Sequence, residues 1–324
     1  MASPNLSEIA TTTLRRRSGR LADNVSDNTA LLMRVRQRGN NRPFSGGRTI
    51  VEELDYAENS TYTRYSGYQT LDVSASDVIS AAEFEIKQAA VAVTISGLEQ
   101  LKNAGEAQIL DLLEARIRNA ERTFMNNLSN DIYSDGTADG GKQVGGLQLL
   151  VADDPTTGTV GGINRATAAF AFWRNQLYDF SVASATASST TIQTAMNTLY
   201  LSCARNRDRP DLIVADNTYF RYYWESLQAI QRVTNTDLAA AGFQNLKFMG
   251  ADVVFDGGQD GDAPANHIYF LNTNFIHFRP HSDRNMVPLE PDRFATNQDA
   301  MVKLIAWAGN MTLSNGALQG VMIA

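Results

Sequence analysis

The sequence predicts a mixed α+β fold, because it holds one long segment of helical periodicity and several shorter segments of strand periodicity. The helical segment places a stripe of apolar side chains on one face: Ile109, Leu113, Ile117, Phe124 and Leu128. The strand segments either alternate with small residues, as in Val91, Val93 and Ile95, or are short apolar runs such as PDLIVAD. A chain of 324 residues that is 43% hydrophobic can bury one large core or two medium ones.

The long helix is predicted to cover residues 106–130. Acidic side chains lead and basic ones follow along this segment, which suits the helix dipole, and Glu114 and Arg118 are spaced for an ion pair. A glycine-rich link, DGTADGGKQVGG, is expected to end the helix and lead into LQLLVAD, which is predicted to be a short buried strand.

The middle of the chain mixes helices and strands. Ile192, Met196, Leu199 and Cys203 share a helical face, so Cys203 is expected to be a core thiol. PDLIVAD is predicted to be a buried strand, and Asp216 with the residue after it is predicted to cap an aromatic amphipathic helix. Two further segments, LKFMGADVVFDGG and NHIYFLNTNFIHFRP, are predicted to be strands.

Composition predicts a soluble, unexported protein of a reducing compartment. The single cysteine excludes an internal disulfide framework. No run approaches the roughly 18 apolar residues of a membrane span, so no membrane contact is expected. The N-terminal residues MASPNLSEIATTTLRRRSGR lack the apolar core of a signal peptide.

Positive charge is concentrated at the N-terminus. Residues 1–48 hold nine arginines against three carboxylates, a net charge of +6, and because the whole chain carries −7 the remainder carries −13. The basic arm is expected to contact the acidic body of a neighbouring subunit, an acidic partner protein or nucleic acid, in that order, with a solvated tail as the last alternative. Few aromatic residues lie among the arginines, so nothing indicates a base-stacking site. The candidate contact residues are Arg15, Arg16, Arg17 and Arg20.

Residues 46–77, GGRTIVEELDYAENSTYTRYSGYQTLDVSASD, are predicted to form a long β-hairpin with a polar, tyrosine-rich middle. The second arm alternates through Leu71, Val73 and Ala75. The apolar faces are thin, and an isolated two-stranded hairpin is marginally stable in water. The hairpin therefore needs a partner surface, and the residues predicted to contact it are Ile50, Leu54, Tyr56, Tyr62, Arg64, Tyr65, Tyr68 and Leu71.

One segment resembles a nucleotide site but departs from the required pattern. Gly136, Gly141 and Lys142 match the start of a phosphate-binding loop, G-x-x-x-x-G-K. Gln143 stands where a metal-binding Ser or Thr is required, and the segment follows a helix instead of a strand. A flexible link is the favoured interpretation, and no cofactor is predicted.

Metal and nucleophile sites are also disfavoured. His277 and His281 are four residues apart with Asp283 nearby, but Pro280 argues against the helix that would bring the two imidazoles together. Cys203 has no signature of a catalytic thiol around it. The acidic turn DGGQDGD, which holds Asp256, Asp260 and Asp262, lacks the spacing and the terminal glutamate of a calcium loop. We therefore predict no catalytic residue and no metal ligand.

The order of these elements resembles the major capsid proteins of tailed bacteriophages, which have the Hong Kong 97-like fold. The resemblance covers nearly the whole chain and rests on the order of several phrases: the basic arm, the long hairpin, VAVTISGLEQLKNAG, the acidic-to-basic helix, GLQLLV, PDLIVADNTYFRYYWESLQ, GADVVFDGG and NMVPLEPDRFATNQDAMVKLIAWAGNMTLSN. By this resemblance, residues 1–47 are the N-arm and 48–78 the extended loop. Residues 79–189 are the peripheral domain with a spine helix at about 106–130, 190–285 the axial domain, and 286–324 strands that return to the peripheral domain.

The resemblance also implies a function and partners. The chain is expected to assemble with itself, as hexamers and pentamers, into an icosahedral shell that encloses a double-stranded DNA phage genome without sequence-specific binding. A portal protein, a separate scaffolding protein and a cement or decoration protein are the other implied partners. The implied location is the virion capsid, assembled in the bacterial host cytoplasm.

Three alternatives remain open at the level of the sequence. An encapsulin-like compartment shell shares the fold but encloses enzymes. A nucleotide-dependent hydrolase that uses residues 136–142 and a DNA-binding module that uses the basic arm belong to other classes of protein. The chain departs from family members that crosslink through a loop lysine, because Lys87 is its first lysine.

Overall fold

A computed structural model describes residues 29–102, 106–227, 245–256, 263–289, 293–294 and 299–324. Seven helices lie in these ranges: α1 (Ala30–Gln37), α2 (Gly97–Lys102), α3 (Glu106–Ile132), α4 (Ala138–Gly141), α5 (Leu147–Leu150), α6 (Ile192–Ser202) and α7 (Asn217–Ser226). A 3-10 helix covers Ala168–Trp173.

Fifteen strands lie in the same described ranges. The first nine are β1 (Thr49–Asp55), β2 (Ile79–Glu85), β3 (Lys87–Ser96), β4 (Thr159–Val160), β5 (Ile163–Asn164), β6 (Gln176–Asp179), β7 (Leu212–Ala215), β8 (Asn245–Phe248) and β9 (Ala251–Phe255). The other six are β10 (His267–Leu271), β11 (Ile276–Pro280), β12 (Val287–Pro288), β13 (Arg293–Phe294), β14 (Ala300–Leu313) and β15 (Gly320–Ile323).

Two main sheets organise the chain. In the first, the long strand β14 pairs antiparallel with β3 on one side and with β11, β12 and β13 on the other. The second has six strands in the order β6-β15-β10-β7-β9-β8, with β7 and β9 parallel. One apolar core surrounds the first sheet, α3 and α1, and another lies between the second sheet and helices α6 and α7.

The long helix α3 confirms the predicted helix at 106–130. Ile117, Phe124, Leu128 and Ile132 are buried along one stripe, as the 3.6-residue period requires. Glu114 and Arg118 form the predicted pair at 2.8 Å. The side chains of residues 106–113 lie outside the described set.

The predicted elements of the middle region are also present. Asp216 caps α7, because its carboxylate accepts a hydrogen bond from the backbone N–H of Tyr219 at 2.9 Å. Strand β7, which precedes this cap, is buried at every position. Cys203 is fully buried in the second core, as expected of a core thiol.

Two local predictions were wrong, and one helix was not predicted. The second arm of the hairpin is β2, Ile79–Glu85, and residues 71–75 form no strand. The segment LQLLVAD begins with the short helix α5 instead of a strand, because an apolar run of this length does not distinguish the two. Residues 30–37, interpreted only as part of a basic arm, form the helix α1, whose apolar residues are buried.

The sheets divide the chain differently from the predicted domains at three strands. β6 lies in the predicted peripheral segment, yet it belongs to the second sheet. β11 lies in the predicted axial segment but pairs with β14 in the first sheet. β15 lies in the segment predicted to return to the peripheral domain, yet it pairs with β10 and β6 in the second sheet. The domain boundaries themselves stay a prediction.

Candidate assembly surface

The base of the hairpin is the first part of the candidate surface. β1 and β2 pair antiparallel with Ile50 opposite Phe84 and Leu54 opposite Ser80. Because side chains alternate along a strand, one face of the pair carries Ile50, Leu54 and Phe84, which are 2%, 2% and 5% exposed. The other face carries Val51 and Ile79, which are exposed. The contact residues predicted from the sequence include neither of these two, and Ile79 lies beyond the predicted hairpin.

The inner face of the hairpin packs on its own chain, contrary to the expectation that it has little to pack on. The backbone N–H of Glu83 donates to the carbonyl of Gly161 at 2.9 Å. The ring of Tyr56 stacks on Phe172 with centroids 5.0 Å apart. Since Ile50 and Leu54 are covered by the same chain, they are poor candidates for contact with a partner.

A buried polar cluster fixes the same base to the first sheet. The Glu52 carboxylate accepts a hydrogen bond from the Thr312 hydroxyl at 2.8 Å and lies 3.3 Å from the Arg279 guanidinium. His277 is buried on β11, and burial lowers the pKa of its imidazole. The Glu52 carboxylate opposes this shift, whereas the neighbouring arginines add to it. The amide of Asn310 donates to the carbonyl of Glu85 at 2.8 Å. The hairpin is thus held at its root from β11 and β14.

The loop between β1 and β2, residues 56–78, presents most of the predicted contact residues to solvent. Tyr62, Tyr65 and Tyr68 are 78%, 65% and 108% exposed. Leu71 is 44% exposed. The Arg64 guanidinium lies 5.8 Å from the centre of the Tyr62 ring. Within the described part of the chain, the three tyrosines are therefore mostly uncovered and Leu71 is about half covered.

Near its root, the loop is closed on itself. The Ser60 and Ser76 hydroxyls lie 3.4 Å apart, so the two ends of the tyrosine-rich segment meet. Glu58, just outside this contact, lies 3.6 Å from Arg205 of the turn after α6. A groove of about 400 Å³ lies between these two segments. The loop therefore leaves the body of the molecule from a defined point.

The basic arm is only partly described. Arg15, Arg16, Arg17 and Arg20 lie outside the described residues. Arg34 is paired with Asp252, and Arg38 lies 3.1 Å from Asp211. Because α1 is amphipathic and its arginines meet carboxylates of the same chain, this part of the arm docks on its own acidic body. These two arginines therefore do not need the acidic surface of a neighbouring subunit, which the sequence favoured as the partner of the arm.

The phosphate-loop resemblance at residues 136–142 has the geometry of a turn. Gly136, Gly140 and Gly141 all have positive φ, and the segment follows the end of α3. The carbonyl of Gly141 accepts a hydrogen bond from the Lys87 ammonium at 2.6 Å. The segment leads from α3 towards the four-residue helix α5, is bonded to the start of β3 through Lys87, and does not open a long helix as a phosphate-binding loop does.

The other weighed groups are dispersed. His277 lies on β11, whereas His281 packs edge-on against Phe44 with centroids 5.0 Å apart. Asp260 and Asp262 lie outside the described residues. In the described ranges, no three His, Cys, Asp or Glu side chains gather so that they could hold a metal ion. Burial raises the pKa of the Cys203 thiol to about 12, which keeps it protonated. Among the described helices, none has both the length and the apolar character to cross a membrane.

Comparison with solved structures identifies the fold. The chain is similar to a subunit of the cyanophage A-1(L) capsid asymmetric unit, with a TM-score of 0.65 and 16% identity over 89% of this chain and 92% of that one. It is also similar to structures from Mycobacterium phage Bobi (TM-score 0.54, 10% identity) and Mycobacterium phage Adephagia (TM-score 0.53, 12% identity), each over 89% of both chains. No family model matches, and no curated protein matches.

These similarities confirm the predicted fold. The chain has the α+β, Hong Kong 97-like fold of phage capsid structures, with a match over 89% of its length. At such low identity the similarity concerns the path of the backbone, so the function must be argued from the surface that this path exposes.

Proposed function

We propose that this chain is a major capsid protein, a structural subunit that assembles with copies of itself into an icosahedral shell. The observation that carries the proposal is the loop of residues 56–78. It leaves the body at the Ser60–Ser76 contact and exposes three tyrosines and Leu71. Ordering such a loop in solution costs conformational entropy. Contact with another copy, which would bury the tyrosines and Leu71, explains why the loop holds so many aromatic and apolar residues.

Tyrosine is well suited to that contact. Its ring supplies a large apolar area with few rotatable bonds, and its hydroxyl can stay hydrated or find a partner at the rim. Tyr62, Tyr65, Tyr68 and Leu71, with Arg64 beside Tyr62, form what we call the loop contact set. We propose that this set covers a neighbouring subunit in hexamers and pentamers.

The charge distribution supports enclosure of DNA without tight binding. The chain outside residues 1–48 carries a net charge of −13, which disfavours phosphate contacts. The four arginines at 15–20 are proposed to bind an acidic surface of a neighbour or of a separate scaffolding protein. A portal protein and a cement protein are further proposed partners, and the proposed location is the virion, assembled in the bacterial cytoplasm.

The direct test is microscopy of the expressed chain, alone and together with the proteins encoded beside its gene. Closed shells of uniform diameter are the expected product. Shells filled with an enzyme encoded beside the gene would favour the encapsulin-like alternative, whereas particles that protect DNA from nuclease favour the capsid. A chain that stays monomeric in every combination would refute the proposed function.

The arm is tested separately by reversing its charge. Changing Arg15, Arg16, Arg17 and Arg20 to Glu should impair assembly and leave the melting temperature of the isolated subunit unchanged. The matched control changes the same four residues to Lys, which keeps the charge. An unaltered particle yield in the Glu variant would make the arm a solvated tail.

A further inference from the structure

Strand β3 pairs along one edge only within the described part of the chain. β14 pairs with β3 along the whole length of the strand. Gly97 N–H donates to the Asp299 carbonyl at 2.9 Å, so the backbone groups of Gly97 and of every second residue before it point towards β14. By this alternation, the backbone groups of Gln88, Ala90, Ala92 and Thr94 point away from β14. Within the described ranges, the only one of these groups with a partner is the Thr94 carbonyl, which accepts from Arg116. A free edge of this kind is a template for another strand.

A groove follows this edge. It has a volume of about 560 Å³ and lies between β3 and α3. Among the residues whose side chains are described, its walls are mostly small or apolar, with Val91, Ala115 and Ala120 in the lining, and the one charged lining residue is Arg116. Side chains that entered the groove would therefore need to be apolar and compact.

Residues 71–75 have the complementary properties. Leu71, Val73 and Ala75 alternate as in a strand, yet the described chain gives this segment no strand partner. Val73 is 91% exposed and Leu71 is 44% exposed. The only hydrogen bond within the segment is local, from Ser74 N–H to the Asp72 carboxylate at 2.9 Å. Strand-forming residues without a ladder and without cover indicate a segment that pairs elsewhere.

We propose that residues 71–75 of one copy add as a strand to the free edge of β3 in a neighbouring copy. Pairing with Ala90 and Ala92 satisfies backbone groups on both strands, which is the source of affinity in strand addition. Leu71 and Val73 then face the apolar walls of the groove. Asp72, the only charged residue of the segment, then points with Ser74 to the opposite face, so no charged side chain of the segment enters the groove. This inference rests on the proposed function, since it names the surface that accepts the loop.

Paired cysteines in the full-length chain test the contact. In the extended sheet, Ser74 of the added strand and Ala92 of β3 both point away from α3. Ser74→Cys combined with Ala92→Cys, or with Ala90→Cys for the register two residues away, should therefore form disulfides between copies. In oxidised particles, one of these pairs should give a ladder from dimers upward on a non-reducing gel. The native Cys203 does not interfere because it is buried.

Controls separate this contact from proximity alone. Each single variant should give no ladder, and Val73→Cys with Ala92→Cys should crosslink poorly, because these side chains point to opposite faces. Crosslinking of Ala92→Cys to Ile9→Cys would assign the groove to the N-terminal arm and overturn the proposal. If the chain forms no particles, the proposed function fails, whereas particles that form without either crosslink overturn the strand addition alone.

Proline gives an independent test. Because the N–H of Ala92 points away from β14, Ala92→Pro removes a group that only an added strand uses, and proline is tolerated on edge strands. The variant should keep the melting temperature of the subunit but raise the concentration for half-assembly by about tenfold, as expected for one or two lost hydrogen bonds. Ala92→Ser, which keeps the N–H, is the control. Equal assembly of the two variants would contradict the proposal.

Discussion

The Glu52 carboxylate accepts a hydrogen bond from Thr312 at 2.8 Å and lies 3.3 Å from the Arg279 guanidinium, so a single side chain of β1 ties the hairpin to both β14 and β11. The Glu52 and Arg279 side chains are 10% and 18% exposed, which means that water screens the pair only weakly. The orientation of the loop contact set depends on this root.

Glu52→Gln should therefore destabilise the subunit. The amide keeps an acceptor for Thr312 but removes the charge, which leaves Arg279 largely buried beside a neutral group. We expect a loss of about 2 kcal/mol in the free energy of unfolding, below the range for a fully buried pair. Urea denaturation of the unassembled subunit measures it. Glu53→Gln, on the exposed face of the same strand, is the control, and equal stability of the two variants would mean that the ion pair contributes nothing.

Gly320→Ala should destabilise the second core. A Cβ at this position would lie 2.5 Å from the Cys203 sulfur and 3.0 Å from a methyl carbon of Leu199, so both must move. Overpacking of this kind costs about 1–3 kcal/mol. In a Cys203→Ala background the sulfur is absent, and the same substitution should cost less. Gly46→Ala, where an added Cβ meets nothing within 4 Å, should be neutral, and a fully additive double variant would contradict the explanation.

The pair of His267 and Asp153 should make stability depend on pH. Burial lowers the pKa of His267, but hydrogen bonds to the Asp153 carboxylate (3.1 Å) and the Ala265 carbonyl (2.7 Å), together with nearby negative charge, outweigh it and raise the pKa above its usual value. A raised folded pKa gives stability that is complete below the unfolded pKa of about 6.5 and is lost as pH rises through the folded pKa.

Asp153→Asn is the variant that measures this effect. Its deficit in unfolding free energy relative to the natural chain should be larger at about pH 6 than at about pH 9, where His267 is neutral in both folded and unfolded states. Asp154→Asn, at the adjacent exposed carboxylate, should show no such change with pH. A deficit for Asp153→Asn that stays constant over this interval would mean that His267 does not titrate against Asp153.

Sequence patterns predicted the elements whose local chemistry is unambiguous. The apolar stripe through Ile117 and Phe124 fits the 3.6-residue period of a helix and not the two-residue period of a strand. Asp216 marks the start of α7 as a cap. Both α3 and α7 were therefore predicted correctly. The hairpin register was not, because residues 71–75 alternate as well as 79–85 do. What decides between them is Ala82 and Phe84 packing near Gly161, which lies far along the chain.

Contacts between residues distant in the chain also decided which candidate surface residues were predicted correctly. The tyrosines of the loop were identified from composition, because aromatic residues in a polar segment indicate an interface. Ile50 and Leu54 were assigned to that interface as well, although their own chain buries them. Helix α1 was not predicted, because the segment was interpreted only by its positive charge. Leu31, Leu32 and Val35 have the spacing of an amphipathic helix. Burial depends on residues distant in the chain, which one sequence does not reveal.

Removal of the loop should separate folding from assembly. Because Ser60 and Ser76 already meet, replacing residues 61–75 by two glycines closes the loop without moving β1 or β2. The subunit should unfold cooperatively at an unchanged temperature and form no shells. A second variant with Tyr62, Tyr65 and Tyr68 changed to Ser keeps the backbone and should lower the particle yield. Normal shells from the deletion would show that the loop contact set has no part in assembly.

Shells of this chain should be held together without covalent bonds through the loop. An amide crosslink requires an unprotonated amine as nucleophile, but residues 48–78 offer only Arg48 and Arg64 as cations, and arginine stays protonated in proteins. Lys87, the first lysine, lies beyond β2. Its ammonium binds Glu85 at 2.7 Å and the Gly141 carbonyl at 2.6 Å, so it is held at the root of the hairpin and away from the tip.

Particles boiled in detergent with reductant should therefore run as one band near 35.5 kDa. As a positive control, an engineered disulfide pair without reductant shows the mobility of linked chains. A ladder of dimers to hexamers that survives reductant would mean that another lysine supplies the amine.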